Sequence, residues 1–108
     1  MKLNIKNRVK LLDILNSYKG TLDGLAVVLD DLKEIRFSDE ENKDFEIKIE
    51  GNAVNWNPKK EKEKEVTVSK ITTDWVNKFI GDKDSKSEIT VDDIELIDLR
   101  TKLNEKTK

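Results

Sequence analysis

The residues best equipped for chemistry lie in one stretch, Asp82-Lys83-Asp84-Ser85-Lys86-Ser87-Glu88-Ile89-Thr90-Val91-Asp92-Asp93. A calcium ion is held by oxygen ligands at positions 1, 3, 5 and 12 of a twelve-residue loop between two helices, with glycine at 6 and an apolar residue at 8. Asp82, Asp84 and Asp93 fall at positions 1, 3 and 12, and Ile89 falls at 8. Glu88 at position 7 would offer its backbone carbonyl. Against this, Lys86 brings a positive charge to a ligand position, Ser87 stands where the turn needs glycine, and Asp93 is one methylene shorter than the usual bidentate glutamate. The competing reading is a polar inter-helix loop closed by an acidic helix start, with no metal and no cofactor.

Other chemistry has little support. The chain has no histidine and no cysteine, so the commonest general base and the most reactive nucleophile are both missing. No glycine-rich phosphate loop is present. An enzyme is not expected. Lys2, Lys6, Arg8 and Lys10 form a basic cluster that reads as the solvated face of a first helix. The order helix, helix, short helix, hairpin is winged-helix-like, but the third helix, Asp39-Glu40-Glu41-Asn42-Lys43-Asp44, would be repelled by a phosphate backbone. Nucleic acid is therefore not the expected partner.

Composition sets the frame. With 108 residues the chain is expected to form one domain, 1–104, with residues 105–108 as a frayed tail. Leu, Ile, Val and Phe supply 32 of the 108 residues, above the roughly 20% below which disorder is expected. Charged residues make up 41%, so a modest core under a charged shell follows. The net charge of −2 hides an alternation: residues 1–20 carry +4, 21–50 carry −6, 51–70 carry +2 and 71–108 carry −2. No apolar run approaches a membrane span and no signal-peptide core is present, which makes the cytoplasm the expected location.

Periodicity places the elements. Ile5, Val9, Leu11, Leu12 and Leu15 make a helix over 4–17, and Leu22, Leu25, Val28, Leu29, Leu32 and Ile35 make a second over 22–36, capped by Thr21. Ser38 and Glu41 form a capping box for a short helix, 39–44. The alternation Phe45, Ile47, Ile49, the Gly51-Asn52 turn and the return through Val54 and Trp56 predict a hairpin with Ile49 opposite Val54 and Ile47 opposite Trp56. This hairpin is the clearest local signal and is expected to be the centre that the helices cover. The run 58–65 reads as a solvated loop and Val66-Thr67-Val68 as a third strand on the hairpin. A helix over 70–80 buries Ile71, Trp75, Val76, Phe79 and Ile80 and stops at Gly81, leaving 82–89 as a loop. A Thr90–Asp93 box opens the last helix, 91–103.

That helix has two apolar stripes: Leu96, Leu99 and Leu103 on one side, Ile94 and Ile97 nearly opposite. Such a helix is either inserted deeply or holds a partner. Trp56, at the hairpin end, either caps the core edge or stands as an exposed aromatic anchor.

Taken together, Arg8 with Leu11, Leu12 and Leu15, then Leu29 and Leu32, Phe37-Ser38-Asp39-Glu40-Glu41, Trp56, Lys64-Glu65-Val66-Thr67-Val68 and Ile89-Thr90 resemble a family of small phage- and prophage-encoded proteins of unknown function. The chain departs from the family in its Ser17-Tyr18-Lys19-Gly20 turn, which lacks the usual proline, and in a last helix without the usual aromatic residue. The resemblance implies phage association and brings no catalytic residues. The expected fold is α+β: two leucine-rich helices, a short third, a β-hairpin and two C-terminal helices. The expected function is a non-enzymatic, phage-associated protein-binding module, an inhibitor or adaptor of a host or phage protein, with Ile94, Ile97 and Trp56 as contact residues and a homodimer compatible with it. The alternatives are a degenerate EF-hand-like calcium-responsive helix–loop–helix on Asp82, Asp84 and Asp93, and a nucleic-acid-associated regulator.

Overall fold

The first long helix, not the hairpin, is the element around which the chain packs. The computed structural model describes residues 1–108 apart from Asn52, Val91, Asp92 and 106–108. Helix α1, Ile5–Asn16, contacts α2 (Leu22–Ile35), α4 (Lys70–Ser85) and α5 (Glu95–Glu105). A short α3 (Asp39–Asp44) follows α2 and leads into the hairpin. The architecture is α+β, with two small antiparallel sheets beside the helices among the described residues. Leu11, Ile14, Val28, Ile35, Val76 and Leu99 are among the side chains buried where the helices meet.

Local chemistry explains each helix start. Asn4 and Asn7 cap α1 reciprocally: the Asn4 side chain accepts from the Asn7 N–H at 2.8 Å, and the Asn7 side chain accepts from the Asn4 N–H at 3.1 Å. Thr21 caps α2 and Ser38 caps α3, the latter with Glu41 closing the box. Ser69 caps α4, and Asp31 of α2 joins that cap by accepting from the Ser69 N–H at 3.0 Å and the Ser69 hydroxyl at 2.7 Å. A carboxylate at the positive end of α4 thus ties α2 to it.

The hairpin has the expected register, Ile49 opposite Val54 and Lys48 opposite Asn55, with strands β2 (Lys48–Glu50) and β3 (Ala53–Asn55). Its Asn52 lies outside the described residues. The ladder is shorter than the alternation suggests, because Glu46 takes a left-handed backbone, φ +55°. The Ile47 N–H donates to the Asn42 carbonyl at 2.9 Å and the Glu46 N–H to that of Lys43 at 3.3 Å. This is a Schellman closure of α3, with glutamate at the position that glycine usually fills. Only the hairpin base is covered: Phe45 is buried, whereas Ile49 is 75% exposed.

Four other expectations are corrected. The third strand lies two residues earlier and belongs elsewhere: β4 (Lys64–Glu65) pairs with β1 (Lys2–Leu3), away from the hairpin. The charged run 58–65 is stitched to the body. Glu61 accepts from the Ile5 N–H at 2.8 Å, and Lys64 donates to the Glu34 carbonyl at 2.8 Å. Gly81 does not end α4, which continues to Ser85 and closes through Ser87 at φ +54°. Finally, α2 buries Val28, Leu32 and Ile35 but leaves Leu22 85% exposed and Leu25 and Leu29 partly so. Gly24 sits against the Tyr18 ring, so the first half of α2 meets its neighbours through a glycine and its leucines fall at the edge.

Candidate functional site

Leu96, Leu99 and Leu103 are buried, while Ile94 and Ile97 are 65% and 61% exposed. The last helix is therefore inserted on one side and open on the other. With Ile80, Asp84, Ile89, Thr90, Asp93 and Arg100, the two isoleucines line a groove of about 530 Å³ between α4 and the start of α5. Val91 and Asp92, part of the expected helix start, lie outside the described residues, and α5 begins at Glu95.

Two polar networks set the rotation of α5. Asn7, fully buried on α1, donates to Glu95 at 3.0 Å and Asp98 at 2.8 Å and accepts from Lys102 at 2.8 Å. Asp93, 5% exposed, accepts from Lys10 of α1 at 2.9 Å, Lys83 of α4 at 3.1 Å and the Thr90 N–H at 3.1 Å. The Lys10 hydrogen bond, then that of Thr90, then that of Lys83, hold the Asp93 carboxyl well below the usual carboxylate range. The Thr90–Asp93 box expected from the sequence is present in its Asp93-to-backbone half, and it doubles as a three-way clamp.

Residues 82–85 belong to α4, so the stretch is not laid out as a calcium loop between two helices. Asp82 and Asp84 are on α4, and residues two apart on a helix point to different sides. Asp93 is already neutralised by two lysines. No cluster suited to a metal ion occurs among the described residues.

Trp56 is half-buried and does not join the isoleucine groove. It lines a separate crevice over α1 with Lys6, Val9, Lys10, Asp13, Val54 and Glu95. The basic cluster is also rearranged. Arg8 has no exposed surface. It forms a two-pronged pair with Glu41 at 2.5 and 3.0 Å, donates to the carbonyls of Ile35 at 2.9 Å and Arg36 at 2.7 Å, and stacks on Phe37 with its guanidinium carbon 4.1 Å from the ring centre. The Arg8 hydrogen bonds, aided by the Ser38 N–H, lower the Glu41 carboxyl to about 2. Lys10 is committed to Asp93, so the first helix presents a smaller basic face than its sequence suggests.

Sequence reasoning missed Arg8 and Asn7 as buried connectors. A signal existed for the first, since Arg8 falls between Leu11, Leu15 and Leu12 on the apolar arc of the helix. The same signal marks Asn7, which falls between Ile14 and Leu11 on the helix. No helix among the described residues is long and apolar enough to cross a membrane. Comparison of the chain with protein-family models, curated proteins and solved structures finds no match in any of the three.

Proposed function

We propose that this chain is a non-enzymatic protein-binding module, working in the cytoplasm, that takes up another polypeptide on the isoleucine face of α5. The observation carrying this reading is the asymmetry of that helix: its leucine side is closed and its isoleucine side is open along a groove. Apolar side chains grouped on a groove, rather than scattered, are the pattern of interaction surfaces. The absence of histidine and cysteine supports a binding role over a catalytic one. So does the bonding of the buried polar groups, since no buried side-chain nitrogen or oxygen among the described residues lacks a partner. Phage association rests on the resemblance of the motifs from Arg8 to Ile89-Thr90 to small phage and prophage proteins, and it makes the partner a host or phage protein, a second copy of this chain included.

The test is capture by tagged wild type and by Ile94→Asp/Ile97→Asp from lysates of infected and uninfected low-GC bacteria. The reading expects a stoichiometric protein with wild type only, while both baits keep the same helical circular dichroism. A double variant that unfolds, or one that captures as well as wild type, overturns it.

A further inference from the structure

Resting on the reading that the groove takes up a polypeptide, we propose that its occupant is a second copy of this chain, docked about a two-fold axis across α5. The argument begins with direction. Asn77 of α4 is hydrogen-bonded to Asn104 of α5, and Lys83 of α4 to Asp93 just before α5, so the two helices run antiparallel. Asp84, Ile89 and Ile94 therefore share one end of the groove, and Ile80 and Arg100 lie toward the other, with Ile97 between them. The groove is apolar along its middle, acidic at one end and basic at the other. Asp84 and Arg100 are both exposed, and among the described residues neither side chain has an ion-pair partner.

A surface with that polarity is complementary to itself. A two-fold axis perpendicular to the groove, passing between Ile94 and Ile97, exchanges its ends. Each Ile94 then meets the partner's Ile97, and each Arg100 meets the partner's Asp84. Isologous contacts of this kind are the commonest route to homodimers, and every favourable pair is made twice. Another protein would need to supply the same order of charges, which this chain already carries. With α5 only 11 residues long, the contact falls below the roughly 800 Å² per partner of a standard interface, so the dimer is weak and concentration-dependent.

Analytical ultracentrifugation of the full chain from micromolar to millimolar concentration tests this. Wild type is expected to dimerise reversibly, and Ile94→Asp/Ile97→Asp to stay monomeric with unchanged circular dichroism. Asp84→Arg and Arg100→Asp should each weaken association by about tenfold or more, because each reversal sets like charges together at two places. Combined in one chain, the two reversals restore opposite charges at both places and should return the constant to within about threefold of wild type. Wild type that remains monomeric at every concentration overturns the proposal, as does a dimer indifferent to the single reversals. If wild type is monomeric yet captures a different protein through Ile94 and Ile97, self-docking fails while the binding reading stands.

Discussion

Replacing Glu41 with glutamine should change how stability depends on pH, by an amount the structure sets. Glu41 is about 20% exposed at its side chain and receives two hydrogen bonds from a guanidinium that has no access to water. Its carboxyl is lowered from 4.5 to about 2, chiefly by the Arg8 hydrogen bonds. A folded-state value below the unfolded one means that the charged group stabilises the fold. That contribution is complete above about pH 5, declines as pH falls through 4.5, and is gone near pH 2. The shift corresponds to about 3 kcal/mol, at 1.36 kcal/mol per unit. Glu41→Gln retains an acceptor of the same shape, so its cost at pH 7 should be about 2–3 kcal/mol. That cost should shrink to within about 1 kcal/mol near pH 2.5. Urea unfolding followed by circular dichroism at several pH values, for both proteins, isolates the difference from all other titrating groups. A wild-type-minus-variant difference that stays constant from pH 7 to 2.5 would refute the argument that Arg8 reads the charge of Glu41.

Arg8→Met should cost about 3–5 kcal/mol in the same assay, because it strands the Ile35 and Arg36 carbonyls as well as Glu41; Arg8→Lys should recover little of this, since an ammonium cannot serve three acceptors in the geometry of a planar fork. Gly81→Ala should raise stability by about 0.5–1 kcal/mol, since Gly81 is interior to α4 and a Cβ there meets nothing within 4 Å; a lower urea midpoint would show that α4 ends near residue 81 after all. Ser87→Gly should add about 0.5–1 kcal/mol by relieving a left-handed serine at the α4 terminus. The melting temperature should be indifferent to millimolar calcium; a rise that Asp82→Ala removes would restore the calcium reading.

The sequence was most legible where one local device decides the outcome. Thr21, Ser38 and Ser69 each start the helix expected of them, and the hairpin register followed from the alternation around Gly51. It was least legible at helix ends closed by an unusual residue. Glu46 and Ser87 hold the left-handed positions that glycine normally marks, while the true glycine, Gly81, sits inside a helix. The alternation thus overstates the hairpin strand and the glycine understates α4, for the same reason in opposite directions. Long-range pairing was hidden as well. Two-residue strands carry no period, so the union of Lys2–Leu3 with Lys64–Glu65 left no trace in the pattern. The isoleucine face was visible as a stripe on α5, but its exposure depended on partners 83 to 95 residues away in sequence, Lys10 for Asp93 and Asn7 for Glu95, Asp98 and Lys102.

Those partners also explain why the open face of α5 is a fixed property of the fold and not loose docking. Around this helix lie three sectors: the buried leucines, the polar sector that meets Asn7, and the isoleucines. Turning the helix to bury Ile94 and Ile97 would expose Leu96, Leu99 and Leu103, each worth about 1.5–3 kcal/mol of burial. It would also pull Glu95 and Asp98 from Asn7, leaving the buried Asn7 NH2 group without its two acceptors. Two isoleucines cannot repay three leucines and a broken network, so the helix stays as it is. The consequence is a clean separation of roles: aspartate at Ile94 and Ile97 removes surface that the monomer does not use, and a loss of binding in that variant reads the face and not the fold.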